Sequence, residues 1–307
     1  MCINRLFLLT MLDKYKYYVW LQITVLIFGF TGILGKLIEA NSYLLVWYRV
    51  GIALIGIGLY LILKKHSLQI SKKTFYKIIG IGFIIAVHWI TFFEAIKQSN
   101  VSVALVCLSS STLFTSIIEP FYFKRKIKSY ELIFGLLIIV GLYFVFSFEY
   151  KYFVGMLFSF LSASLASWFT VLNGILIKEF NAKTIAFYEL LGAFTLVSIY
   201  LVVKNGFELN AFKISVQDIK WLLILGTVCT AFAFILSVEV MRKITPYSVT
   251  MSVNLEPIYT IILAFIIWPE TETMSYGFYL GTIIVIATIF FNGYIKNNES
   301  KSISLKS

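Results

Sequence analysis

Apolar residues along this chain come in blocks about twenty long, separated by short stretches that hold most of its charge. A helix rises about 1.5 Å per residue, so a block of that length crosses a hydrocarbon layer of roughly 30 Å. Ten such blocks can be read, over about 17–37, 42–63, 75–97, 100–123, 130–148, 153–177, 183–203, 219–241, 246–268 and 275–295. The pattern predicts an all-α integral membrane protein of ten transmembrane helices, with a leader at 1–16 and a tail at 296–307. With both termini placed in the cytoplasm, the inner segments carry nineteen Lys and Arg and the outer segments six, leaving Arg49 within a span. That bias is what membrane insertion demands, and it suits an even number of spans. On this reading both termini are cytoplasmic, in a bacterial inner membrane. Trp20, Trp47, Trp221 and Trp268 fall near span ends, where an indole sits well at the headgroups.

Composition sharpens this picture. Of the 307 residues 60% are hydrophobic and 13% charged, with mean hydropathy +0.89, against about 25% charged for an ordinary soluble domain. A net charge of +11 would suit nucleic acid, but the cations cluster in short loops between apolar blocks, so topology accounts for them. Cys2, Cys107 and Cys229 have no framework or metal-ligand spacing, and two of them lie inside apolar blocks. The short apolar run Leu6 to Leu12 ends at Asp13 with no small-residue cleavage site, which favours a cytoplasmic leader or a start at Met11 over a signal peptide.

The chain also resembles itself. Residues 102–141 align without gaps on 248–287, a shift of 146 that pairs Ser102-Val103 with Ser248-Val249, Ser129-Tyr130 with Ser275-Tyr276, and Gly135 with Gly281. Earlier, 47–51 (WYRVG) matches 187–191 (FYELL) at 140, and Phe30-Thr31 matches Phe169-Thr170 at 139. The repeats, 17–148 and 153–295, hold five spans each, and an odd number forces the second to insert upside down. Inverted repeats with a site at mid-depth between them are a recurring design of secondary transporters.

Several stretches resemble the drug/metabolite transporter superfamily, in particular its ten-helix EamA-type carriers. They are FGFTGILGK (28–36), Arg49, HWITFFEAIKQSNVSVA (88–104), NLEP (254–257) and WPE (268–270). The resemblance covers both repeats and implies a carrier fold, without specifying a cargo. One departure stands out: the first repeat has FKRK (123–126) where the family's acidic element is expected.

Ionisable residues within spans are costly and so mark either a cavity or a helix contact. Glu256 falls near mid-depth of the ninth span, and Pro257 removes a backbone donor there, freeing carbonyls around Val253 and Asn254. Glu256 is a candidate to titrate a proton or bind a substrate amine, or else braces the break. Its repeat counterpart is Ser110. Arg49 can meet a substrate carboxylate, pair with a helix, or run outward to the headgroups. Its counterpart, Glu189, enters from the opposite face, about 12 Å away in depth, so a direct pair is not expected. His88 suits proton coupling or a neutral bridge between helices. Trp89, Trp168, Tyr48 and Tyr188 could line a pocket. Glu119 is expected to pair with the basic loop after it, and the small residues Ser159, Ala163 and Ser167 are expected to pack helices.

These features favour a secondary transporter that exports small amphipathic metabolites such as amino acids by alternating access, driven by solute or protons. An importer of sugars or nucleotide-linked sugars is the alternative within transport. Partners are then a small-molecule substrate and membrane lipid, with a homodimer left open. An intramembrane enzyme would need a nucleophile–base or metal constellation, yet the only aspartates, Asp13 and Asp218, lie outside the spans, and His66 and His88 are far apart in sequence. No Walker motif is present, and neither a cofactor nor a metal is expected.

Overall fold

A computed structural model describes residues 2–206 and 208–304. Within them the chain is helical throughout, with no strand. The helices are α1 (Cys2–Leu37), α2 (Ser42–Leu63), α3 (Lys72–Gln98), α4 (Val101–Leu108), α5 (Ser111–Phe123), α6 (Ser129–Phe148), α7 (Phe153–Leu176) and α8 (Ala182–Asn205). They continue as α9 (Val216–Gly226), α10 (Ala233–Val240), α11 (Pro246–Val253), α12 (Glu256–Ile267), α13 (Pro269–Glu272) and α14 (Tyr276–Ser304). Short polar linkers start several of them: Asn41, Ser71, Asn100, Asn181, Ser215 and Thr245 each accept a hydrogen bond from a backbone N–H of the first turn.

Nine helical spans among the described residues are long and apolar enough to cross a membrane. The tenth expected span falls on α14, whose apolar part, Tyr276–Asn292, is shorter. The expected leader and tail fall largely on the ends of α1 and α14, and Met1 and 305–307 lie outside the described residues.

Three spans are not regular. The fourth breaks at Ser109-Ser110 between α4 and α5, and the ninth at Asn254-Leu255 between α11 and α12. Pro257 stands in the first turn of α12, where its missing N–H costs nothing, so the interruption precedes it. The eighth span carries a π-helical segment, Thr227–Phe232, between α9 and α10. Neither the break at Ser110 nor this segment follows from hydropathy.

Helices α2 and α8 pack on each other, as do α6 and α14, and α5 and α11, while α3 packs on α7 and α8. Glycines set the closest approaches. An added methyl at Gly141 would sit 2.8 Å from the Gly281 carbonyl oxygen, and one at Gly281 would strike the Gly141 oxygen. Gly281→Ala is therefore expected to cost about 1–3 kcal/mol through overpacking. Gly56→Ala, which meets nothing within 4 Å, should be neutral or better. Thermal unfolding of the two variants in detergent checks the contrast. Ser159, Ala163 and Ser167 are buried in helix contacts, as expected.

Candidate functional site

Where the broken spans meet α1, α2, α3, α7 and α10, a cavity of about 120 Å³ remains. The two breaks are tied together. Asn254 Nδ2 donates to the Ser109 carbonyl at 2.9 Å and to Thr112 Oγ1, and Ser111 Oγ donates to Asn254 Oδ1 at 3.2 Å. Backbone released by one broken helix is thus satisfied by the other, which lets irregular chain persist inside the membrane.

Arg49 is 2% exposed and lines the cavity. Its Nε donates to Thr230 Oγ1 at 2.7 Å, and its guanidinium carbon lies 4.3 Å from the Trp89 ring centroid and 5.4 Å from that of Phe93. The Thr230 hydroxyl proton is committed to the Leu225 carbonyl five residues back, 2.7 Å away, so a lone pair faces Arg49. The π-helical turn brings that carbonyl within reach, since a regular helix would offer the carbonyl four residues back. The reading of Arg49 as running outward to the headgroups is corrected: packing on two aromatic rings and the Thr230 bond hold it inside. Its Nη1 has no hydrogen-bond partner, and Arg49 forms no ion pair with the described residues.

Glu256 is 5% exposed, and its carboxylate, also on the cavity wall, has no hydrogen-bond partner among the described residues. It opens α12, where backbone N–H groups favour negative charge. One buried guanidinium and one buried carboxyl group thus share a cavity with no hydrogen bond between them. Such charges are costly unless something pairs them.

His88 bridges α3 and α7. The Ser162 carbonyl can only accept, so His88 Nδ1 donates to it at 2.9 Å, and Ser162 Oγ donates back to the His88 carbonyl at 3.1 Å. In the neutral ring this leaves Nε2 as the lone-pair nitrogen. Ser162→Ala removes the return bond and is expected to lower stability by about 1 kcal/mol, a modest shift readable by thermal unfolding.

The remaining wall is largely aromatic and aliphatic: Phe28, Trp89, Phe92, Phe169 and Phe234 with Leu105, Leu108, Val249 and Val253. Hydroxyls of Thr31, Thr170, Ser237 and Thr250 interrupt it. The cavity reaches Ser237 and Met241 at the end of α10, Val249 in the first turn of α11, and Asn173 near the end of α7. At the other end, Thr31 lies six residues before the end of α1, and Phe92 six before the end of α3.

Of the residues singled out in the sequence, the cavity brings together Glu256, Asn254, Pro257, His88, Arg49 and Trp89. Ser110, Tyr188 and Glu189 are not on its wall. Ser110 is buried with Oγ unpartnered, between Ser109 and Ser111, which do line the cavity. The Tyr188 hydroxyl donates to the Leu68 carbonyl at 2.7 Å, in the linker after α2. Glu189 is fully buried and accepts from Nδ2 of Asn173 at 3.3 Å, so Asn173 stands between it and the cavity. Trp168 is 45% exposed on the outer surface, and the Tyr48 hydroxyl binds the Phe212 carbonyl.

Reading from sequence missed Thr230, Asn173 and the phenylalanines. A signal was available for two wall residues, because Thr31 and Thr170 are the repeat pair already noted at a shift of 139. As expected, Glu119 pairs with the basic loop, through Arg125 Nε at 3.1 Å. Partial burial works against the Arg125 charge, but Glu131 and Glu119 outweigh it and hold the guanidinium pKa above its ordinary value.

Comparison with known proteins agrees with this architecture. The sequence model of the EamA-like transporter family matches residues 15–147 and again 153–294. A protein of Archaeoglobus fulgidus, described as an uncharacterized transporter, is 25% identical over 205 residues, 64% of this chain and 68% of its own. A crystal structure titled only as that of a protein superposes with a TM-score of 0.67 over 90% of this chain and 96% of its own, at 13% identity, and so speaks to fold alone.

Proposed function

The chain belongs to the EamA-like transporter family and is a multi-pass membrane transporter, and from that premise we propose a secondary carrier that exports small amphipathic metabolites such as amino acids. The observation that carries this reading is an Arg49 Nη1 and a Glu256 carboxyl group, neither with a hydrogen-bond partner among the described residues, on one aromatic-walled cavity. A zwitterion supplies a carboxylate for the first and an ammonium for the second, and its apolar side chain suits Phe92, Phe169 and Phe234. Sugars offer neither charge, and a nucleotide-linked sugar would set its phosphates against Glu256, so the importer reading is the weaker one.

The proposed architecture is ten helices in two inverted five-helix repeats, with both termini in the cytoplasm of a bacterial cell. In support, α2 and α6 pack against their repeat counterparts α8 and α14, and the two broken spans, counterparts of each other, pack together with α4 on α12 and α5 on α11. Repeat pairs such as Thr31 with Thr170, and Ser111 with Pro257, also share the cavity wall. Helices that meet their counterparts lie beside a pseudo-two-fold axis, and a site on that axis is where rocking of the halves exposes it to each face in turn. In that orientation the end of the cavity near Ser237, Met241 and Val249 faces the cytoplasm.

The test is an untargeted comparison of small molecules in the medium of cells expressing wild type, Glu256→Gln or empty vector at matched membrane levels. Zwitterionic solutes enriched by wild type alone are the expected result. A medium indistinguishable from empty vector would remove the exporter.

A further inference from the structure

The end of the cavity away from Ser237, Met241 and Val249 is closed by packed helix and by one buried carboxylate. Glu272, on α13 of the second repeat, is buried and collects four donors. They are the Val101 and Ser102 backbone N–H groups at 3.2 and 3.0 Å, Ser102 Oγ at 2.7 Å, and Lys36 Nζ at 2.7 Å. Val101 and Ser102 open α4, so the carboxylate supplies the acceptor that the orphan N–H donors at a helix start lack. Lys36 ends α1, donates also to Thr271 Oγ1 at 2.6 Å, and lies 4.5 Å from the Trp268 ring centroid. A single side chain thus joins two helices of the first repeat to the second.

Beneath this cluster the packing is tight. The Phe93 ring fills the space where Gly35 would carry a Cβ, and a methyl on Gly32 would meet Val101 and Leu105, each at 3.4 Å. Leu105 is itself part of the cavity wall. The barrier at this end is therefore about six residues of helix, roughly 9 Å deep, with Glu272 and Lys36 as its outer fastening. At the opposite end the cavity wall reaches Ser237 and Met241 by the end of α10 and Val249 in α11.

We propose that Lys36 and Glu272 form a latch that holds the cavity closed at this end, and that transport requires its release so that α4 can part from α13. The proposal builds on the transporter reading but makes no use of its cargo. It also gives Glu272 a role distinct from that of Glu256: the former controls a route, the latter meets what travels along it. The motif at 268–270 pointed to this region, yet Glu270 is exposed, and the engaged acid is two residues further on. The first repeat, with FKRK in place of an acid, has a different device at the other end. There Glu119 of α5 accepts from the Tyr247 N–H that opens α11, and Arg125 ties Glu119 to Glu131.

The experiment is side-specific thiol labelling. In a background with the native cysteines replaced by alanine, Leu105→Cys reports access to the cavity. A membrane-impermeant methanethiosulfonate is added to right-side-out or inside-out vesicles. With Lys36→Met or Glu272→Gln the labelling rate from the Lys36 face should rise at least about tenfold, the scale of one lost charge-assisted hydrogen bond. Labelling from the other face should not rise, and Glu119→Gln should not raise labelling from the Lys36 face. Lys36 is partly exposed, so Lys36→Met keeps the test valid where Glu272→Gln fails to fold. Unchanged labelling in Lys36→Met, or an equal rise from both faces, overturns the latch. Because labelling needs no cargo, a negative metabolite screen beside a positive labelling result rejects the exporter and leaves the latch in place.

Discussion

Glu256→Gln is expected to reduce export of a zwitterionic cargo by about one to two orders of magnitude, the worth of one hydrogen bond to a charged group at roughly 1.5–3 kcal/mol. The substitution keeps the shape of the side chain. The Glu256 carbonyl still accepts from Thr260 Oγ1 at 3.0 Å, and Pro257 still opens α12. No hydrogen bond of the carboxylate is lost within the protein, because it has none among the described residues. Membrane level should therefore match wild type, and any fall in thermal stability reports the Arg49 charge left without a counter-charge in the cavity, not a lost brace at the break. Selectivity supplies the sharper readout. With Arg49 as the only charge left at the site, deaminated acids should compete relatively better against zwitterions than they do in wild type. Where export draws on protons through Glu256, its rate varies with pH in wild type and becomes flat in the variant. Export by Glu256→Gln at the wild-type rate, with the same pH profile and the same competition, would return Glu256 to a structural role.

How much of this was legible in the sequence depends on which forces write themselves into local pattern. Span lengths follow from the thickness of hydrocarbon, so the helices from Ser42 to Ile267 appear close to where hydropathy puts them. The break near Pro257 was legible because proline cannot donate. The matching break at Ser109-Ser110 was not, since serines carry no comparable backbone signature. Glu256, Arg49 and His88 were findable because charge is scarce in lipid. Glu189 and Tyr188 carried the same kind of signal and lie elsewhere, Glu189 behind Asn173 and Tyr188 in the packing near α3. Scarcity marks a residue as constrained without saying by what. The partners that fix orientation, Thr230 for Arg49 and Ser162 for His88, are 181 and 74 residues away in sequence. Such partners are common residue types in an apolar chain, and only folding singles them out.

Arg49 gives the second large effect. Arg49→Met is expected to abolish measurable export and also to destabilise the protein, since it leaves Glu256 as a buried carboxylate with no cation in its cavity. Leaving a charge buried with no opposite charge in its cavity costs up to about 3–5 kcal/mol. Arg49→Lys should not rescue transport. The ammonium keeps the charge but has neither the planar face that lies on Trp89 nor an Nε that reaches Thr230 while the outer nitrogens stay free. The double variant Arg49→Met/Glu256→Gln then distinguishes the two reasons for keeping these charges. If they exist to balance each other, neutralising both restores stability, and the coupling energy in the cycle is at least as large as the loss in Arg49→Met alone. If they also address the cargo, stability returns while export stays lost, because a neutral cavity offers a zwitterion nothing in exchange for its hydration. Thermal unfolding and export measured on the same four proteins decide it. Recovery of both would make the pair a structural device, and recovery of stability alone would assign the charges to the molecule being carried.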